Sequence, residues 1–286
     1  GCHVKIISKM YKYFWVIIPV TISEMEGKME LGMINWIREE DFAKVHEKGL
    51  SFVELDVNDR AQEFLDNLER TAEYSRRYQV PVGAVGRWGS DRINENGIRQ
   101  EELELEYRLI DATAYLGCDV YITGCNYVDS LSYYENCTHA IAYFEKLIAH
   151  GKEKGVKIAT YNCRWNNFVC TPTEFKIIHG YLKDLYIKYD TSHCIYAGGD
   201  YMQETRDWGK RFAHVHLKGA LVIDGERYDD PPAGLDQTNW GAFLAVLHAQ
   251  GYKGRLSIEP HSANWQGELG EKGLDYTIRY FRALEL

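Results

Sequence analysis

The chain has 286 residues, 45% of them hydrophobic and 26% charged, the composition of an ordinary globular protein with an extensive core. Its formal net charge is −9, which argues against DNA or another polyanion as the main partner, because phosphate binding rewards basic surfaces. Seven scattered cysteines with no CxxC pair read as reduced thiols, which argues against a disulfide framework or a zinc knuckle and favours the cytoplasm.

The first feature in chain order is an apolar run, Tyr13-Phe14-Trp15-Val16-Ile17-Ile18-Pro19-Val20, preceded by Lys5, Lys9 and Lys12. A signal peptide has that order, but Thr21-Ile22-Ser23-Glu24 is a poor cleavage site. The run is also too short to span a membrane. Residues 1–28 therefore read as an extension, or as an extra strand packed on the domain that follows. A remnant of an export signal is the alternative.

From there on, short apolar runs alternate with helical patterns, which predicts βαβ units and a parallel sheet. The first strand is expected at 31–37, with a helix at 39–47 closed by Gly49 at its C′ position. The second strand, 51–55, leads into a long helix from Asp59 to Tyr78. The third, 80–85, is followed by a polar loop, 86–97, carrying Arg87, Trp88, Arg92 and Asn94. Leu103, Tyr107, Ile110 and Ala114 then form one helical stripe. Strand four is expected at 119–123, and its helix ends at Lys154-Gly155. Strand five at 156–160 is followed by a helix at 172–181, and strand six at 185–189 by a short helix at 202–210. Strands seven and eight are expected at 212–217 and 255–258, separated by a Pro-containing loop and a helix at 240–250. Leu274, Ile278, Phe281 and Leu284 line the closing helix.

Eight such units with no linker predict a single (β/α)8 TIM barrel over 29–286, preceded by the extension. A doubly wound open sheet uses the same units. It prefers a Gly-rich phosphate turn after its first strand, and Asn35-Trp36-Ile37-Arg38 is not one.

In such a barrel, polar residues just past the carboxyl ends of strands read as functional. Strand six ends in Tyr189-Asp190-Thr191-Ser192-His193, strand seven contains His214-Val215-His216-Leu217-Lys218, and strand eight ends in Ser257-Ile258-Glu259-Pro260-His261. An acid, a histidine and a second acid thus converge on one mouth. Carboxylate and imidazole donors with open positions suit a divalent metal such as Mn, Co, Mg or Zn. Asp190, His216 and Glu259 are the candidate ligands. His214 and His216 share one side of their strand, with His214 a layer deeper. As alternatives, Asp190 caps a turn, Glu259 is a salt-bridged rim residue, and His216 is a satisfied core histidine. Trp36, Trp88 and Trp165 fall on loops at the mouth, where rings suit the apolar faces of sugars or cover the end of the core.

These three motifs resemble the xylose-isomerase-like barrel superfamily, and within it the sugar phosphate isomerase/epimerase group. Gly49-Leu50-Ser51-Phe52-Val53-Glu54-Leu55 and Gly234-Leu235-Asp236-Gln237-Thr238-Asn239-Trp240 resemble the same group. The resemblance implies a metal site of four ligands: Glu after strand five, Asp after strand six, His after strand seven and Glu after strand eight. Asp190, His216 and Glu259 match the last three. Tyr161 stands where the first is expected, and Asn162 beside it is the candidate for the fourth position. In the epimerases, two metal-bound glutamates on opposite faces of the sugar exchange the proton. With Tyr161 in one place, that pair is incomplete, leaving Glu259 as the base. Tyr161 is then a candidate acid, or only a space-filling ring. The resemblance implies that His193 stabilises negative charge on a substrate oxygen. Lys218 and Arg164 are candidates to bind a substrate oxygen or phosphate, or are plain surface cations.

Three functions are open. The first is a metal-dependent isomerase, epimerase or lyase acting on a sugar or polyol, with a small-molecule partner and neither nucleic acid nor membrane. The second is a phosphodiesterase of the related endonuclease branch. That branch matches at Asp190 and His193 but uses further histidines and an Asp-x-His pair that this chain lacks. The third is a non-catalytic sugar-binding barrel. Homo-oligomerisation is left open.

Overall fold

The computed structural model describes residues 28–284. Its eight barrel strands are β1 (Glu30–Asn35), β2 (Val53–Asp56), β3 (Val82–Gly86), β4 (Val120–Thr123), β5 (Lys157–Tyr161), β6 (Leu185–Asp190), β7 (Phe212–Leu217) and β8 (Arg255–Ile258). All pair in parallel in chain order, and β1 pairs with β8 to close the barrel. The expected (β/α)8 architecture is therefore observed. Residues 1–27, with the apolar run, lie outside the described residues.

Alternation along the strands sorts their side chains. On β6, Leu185, Ile187 and Tyr189 face the surrounding helices, where Tyr189 stacks on Phe212 with ring centroids 4.5 Å apart and meets Phe243. Tyr186, Lys188 and Asp190 point inward. Helical i, i+3 spacing places Phe42 and Val45 of the helix Glu39–Glu47 on one face against the barrel, both at 0% exposure. Each such side chain contributes roughly 1.5–3 kcal/mol by leaving water. Gly49 ends that helix with φ 65°, and Gly155 ends the helix Tyr133–Lys154 with φ 73°. Both occupy the left-handed conformation that glycine adopts without steric cost.

The lower barrel interior is plugged by Phe52, whose ring lies so close to Gly32 and Gly83 that a Cβ on either would sit within 2.6 Å of it. Higher up, a small apolar cluster of Ala84, Trp88, Val120, Ile122, Ala159 and Tyr161 fills the space under the mouth.

Several connections differ from the sequence reading. The long helix after β2 is broken into a 3-10 turn and two helices, Ala61–Asp66 and Leu68–Tyr78. The loop after β3 carries a hairpin, Ile93–Asn94 with Gly97–Ile98, and the loop after β7 carries another, Leu221–Ile223 with Glu226–Asp229. Arg87 and Arg92 are buried rather than at the mouth. Arg87 pairs with Glu106 at 2.9 Å and Glu102 at 2.7 Å, and Arg92 lies 3.6 Å from Glu106. These arginines pin the loop to the helix Gln100–Tyr115.

Candidate active site

The register of the last strands assembles the site. Pairing between β6 and β7 shifts by one residue between Ile187 and Lys188, which brings Asp190 level with His216. Ser257 of β8 is level with His216 on its other side. Glu259 lies two residues further along, at the rim. The potential ligand atoms of Asp190, His216 and Glu259 all fall within 4.8 Å of one another.

Below them runs a buried polar chain. His216 Nδ1 meets Glu259 Oε2 at 2.6 Å, and its Nε2 meets Glu54 Oε2 at 2.8 Å. Glu54 Oε2 also accepts from His214 Nε2 at 2.8 Å. Glu54, His214 and His216 are at most 1% exposed. Burial opposes the charge on Glu54, yet His216 and His214 hold its carboxyl well below the usual range. Burial likewise opposes the charge on His216, but Glu54 and Glu259 raise its pKa above the ordinary value. For His214, burial wins and the pKa falls.

Lys218 occupies the other side of the mouth. Its ammonium is 3.2 Å from Asp190 Oδ2 and 3.9 Å from Glu259 Oε1, and it donates to His193 Nε2 at 3.0 Å. Burial opposes its charge, but Asp190 and Glu259 raise its pKa. Burial drives His193 down to about 4, with Lys218 adding to the effect and Asp190 opposing it. His193 is thus neutral, and its Nε2 also lies 3.3 Å from Asp190 Oδ2.

Tyr161 is fully buried. Its hydroxyl donates to the Trp165 carbonyl at 3.0 Å and accepts from the Gly89 amide at 3.2 Å. Burial raises its pKa. The hydroxyl therefore ties two loops together and does not line the mouth cavity. Asn162 is similarly engaged: its amide nitrogen donates to the Asp190 carbonyl and its oxygen accepts from the Asp190 amide, both at 2.9 Å. The side chain splints β6 rather than turning toward the three ligand atoms.

Above these groups opens a cavity of about 690 Å³. Trp36, Trp88 and Trp165 line it, together with Lys188, Lys218, His193 and Glu259. Trp88 lies flat over Gly86, 5.8 Å from the Tyr161 ring and 6.4 Å from the His216 ring. Trp36 and Trp165 are 38% and 57% exposed. Arg164 lines an adjoining cavity of about 270 Å³, which shares His193, and not the main one.

Three inward groups were not assigned roles from the sequence: Glu54, Asp56 and Lys188. Asp56 ends β2 and lines the cavity, and its Oδ1 has no hydrogen-bond partner. Burial, reinforced by Glu54 and Glu259, pushes its pKa up to about 7. The period-2 rule that placed His214 and His216 on one side would also have found Lys188, two residues before Asp190.

The donor set fits a divalent cation. Asp190 Oδ2 is buried and makes no well-aligned hydrogen bond, its nearest charge being the Lys218 ammonium at 3.2 Å, and two carboxylates with an imidazole suit a hard or borderline metal.

Fold and mouth together define a (β/α)8 barrel of the kind that gathers its chemistry at the carboxyl ends of its strands. Residues 42–284 match the xylose isomerase-like TIM barrel family, and the chain belongs to it. Among curated proteins, the uncharacterized protein YfiH of Bacillus subtilis (strain 168) is 25% identical over 152 residues, 46% of this chain and 49% of YfiH. The match thus spans about half the length of that relative. Among solved structures, the 3-keto-D-glucoside 4-epimerase YcjR of E. coli superposes with a TM-score of 0.71 at 18% identity, covering 90% of this chain and 100% of that one. D-allulose 3-epimerase from Methylomonas sp., in complex with D-allulose, gives 0.72 at 16% identity, covering 90% and 97%. A xylose isomerase domain protein from Planctomyces limnophilus gives 0.74 at 13%, also covering 90% and 97%. At these identities the likeness is one of fold. No helix among the described residues is long and apolar enough to cross a membrane.

Proposed function

We propose that the protein is a divalent-metal-dependent enzyme that moves a proton at a carbon next to a carbonyl of a sugar or polyol, as an epimerase, isomerase or lyase does. The observation that carries this reading is the convergence of Asp190, His216 and Glu259 within 4.8 Å at the floor of a tryptophan-lined cavity. The named activities of the sugar epimerases that share the fold are consistent with it.

Asp190, His216 and Glu259 would hold the metal, with His216 contributing Nδ1 while Nε2–H donates to Glu54. A bound divalent ion supplies Lewis acidity toward the substrate's carbonyl and hydroxyl oxygens. The tryptophan rings pack against the apolar face of the sugar. Glu259 removes the proton from carbon. Lys218 holds Asp190 and Glu259 in their ionised forms.

Tyr161, engaged with two loops, is not the acid in this scheme. Asp56 takes that place: it lines the same cavity, its Oδ1 is unpaired, and a pKa of about 7 lets it carry a proton near neutral pH.

Asp190→Asn should weaken binding of Mn, Co, Mg or Zn by removing a charged ligand. Calorimetric titration of metal-stripped protein measures this. Absence of stoichiometric metal in refilled wild type would overturn the reading and leave the non-catalytic sugar-binding barrel.

The role of Asp56 has two readouts. In Asp56→Asn, solvent deuterium should still enter at the substrate carbon through Glu259, while return from the other side is lost. Inversion at the wild-type rate would remove Asp56 from the mechanism. The second readout is stability. The folded pKa of about 7 lies above the ordinary 3.8, so the folded state binds more protons between these values. The contribution of Asp56 to metal-free stability should therefore fall by about 4 kcal/mol at most as pH rises through that interval. Asp56→Asn should lose less stability than wild type, as read by denaturant unfolding at several pH values.

A further inference from the structure

We infer that Lys188 binds an anionic group of the substrate, so that the sugar this cavity takes is a sugar acid or a sugar phosphate rather than a neutral sugar. The inference rests on the sugar reading above and adds the substrate's charge.

Four cationic side chains of lysine or arginine line the cavity: Lys44, Lys188, Lys218 and Arg227. Three of them have acidic partners. Lys44 pairs with Glu271 at 2.5 Å, Lys218 with Asp190 at 3.2 Å, and Arg227 with Asp230. Lys188 makes no hydrogen bond or ion pair within 4 Å among the described residues, although Asp190 and Glu259 lie near enough for its charge to lower their pKa values. Its ammonium lies over the Trp88 ring, with Nζ 5.9 Å from the centroid. Yet the residue is only 1% exposed. Withdrawing an ammonium from bulk water is costly unless it is paired and hydrogen-bonded. A ring face offsets only part of that cost, on the order of 1 kcal/mol. The remaining donors of Lys188 are available to whatever enters the cavity.

Its position in the barrel sharpens the argument. Lys188 lies in the layer directly beneath Asp190 and level with Tyr161 on β5. Tyr161 stands where the family resemblance implies an acid. This wall of the barrel carries an uncharged phenol at one strand end and a positive charge on the neighbouring strand. The result favours a carboxylate or phosphate over a hydroxyl. In a cavity with low-dielectric walls, one such contact discriminates charged from neutral ligands more strongly than it would in water. The flat rings of Trp88 and its neighbours accommodate the sugar body in either case, so Lys188 is the element that reads charge.

The test is calorimetric binding to metal-stripped protein, which keeps it independent of the proposed metal chemistry. The probes are D-glucuronate and D-gluconate as sugar acids, D-glucose 6-phosphate as a sugar phosphate, and D-glucose and D-fructose as neutral controls. Wild type should bind at least one anionic probe about tenfold or more tightly than the neutral sugars, and the pattern among the three identifies carboxylate or phosphate. Lys188→Met should lose that preference while Lys188→Arg keeps most of it. Failure of every anionic probe to bind more tightly than the neutral sugars overturns the inference whatever the variants do. So does a preference that survives in a folded Lys188→Met. Turnover of a neutral sugar by refilled wild type, without anion preference, would leave the proposed function standing and sink this inference alone.

Discussion

Glu259→Gln should lower turnover by roughly 10²- to 10⁴-fold once a substrate is in hand, the loss expected when a positioned base is removed. The substitution keeps the shape of the side chain but removes its charge and its basicity. Glu259 is the one carboxylate that both lines the cavity and meets a second candidate ligand, through the 2.6 Å contact with His216 Nδ1. Burial would raise its pKa, yet Lys218 and His216 hold it well below the usual range. It is therefore ionised and able to accept a proton throughout the neutral range. Solvent-deuterium incorporation at the substrate carbon measures the step directly. Exchange at the wild-type rate in Glu259→Gln would show that another group is the base. Thermal melting of the variant, unchanged within a few degrees, would show that any loss is chemical.

The largest effect on stability is expected at Glu54, which plays no direct part in the proposed chemistry. Glu54→Gln should cost about 3–5 kcal/mol, because it leaves His216 without its buried counter-charge and weakens the hydrogen bond from His214. For a domain of this size, that is a fall in Tm of roughly 6–20 °C. The pH dependence identifies the cause. The folded pKa of Glu54 lies below its ordinary 4.5, so its contribution is present above that value and lost as pH falls. The folded pKa of His216 lies above its ordinary 6.5, so its contribution is present below that value and lost as pH rises through the raised pKa. The pair should therefore stabilise most between about pH 4.5 and 6.5. The gap between wild type and Glu54→Gln should be widest there. A gap of less than about 1 kcal/mol across that window would mean that the glutamine replaces the carboxylate's hydrogen bonds and that the charge contributes little. The same variant should bind metal roughly 10- to 100-fold more weakly, since Glu54 orients the His216 ring.

Much of the barrel was legible from local pattern. Strands 212–217 and 255–258 and the helix Glu39–Glu47 fall where the apolar runs and Gly49 place them. Other strands begin or end one or two residues from the expected positions, as with β2, which runs over Val53–Asp56 rather than 51–55. The hairpins after β3 and β7 gave no usable signal, being two to four residues per strand. The burial of Arg87 and Arg92 was equally hidden, since only the approach of Glu106 from a later helix makes it affordable.

The sequence by itself determined that strands six, seven and eight end in Asp190, His216 and Glu259, because adjacency in a parallel barrel follows chain order. It also determined the absence of an acid at Tyr161. Only the tertiary structure decided what surrounds those side chains. Glu54 reaches His214 and His216 across 160 and 162 residues of chain, and no local period encodes such a contact. The engagement of Tyr161 and Asn162 with backbone groups depends on loops whose paths follow from packing, not from propensity. Whether a lysine is paired depends on which acids lie within about 4 Å in space. That is why Lys218 and Lys188, both inward and both buried, differ in their contacts: one forms ion pairs with two carboxylates, while the other lies over an aromatic ring with those carboxylates beyond 4 Å.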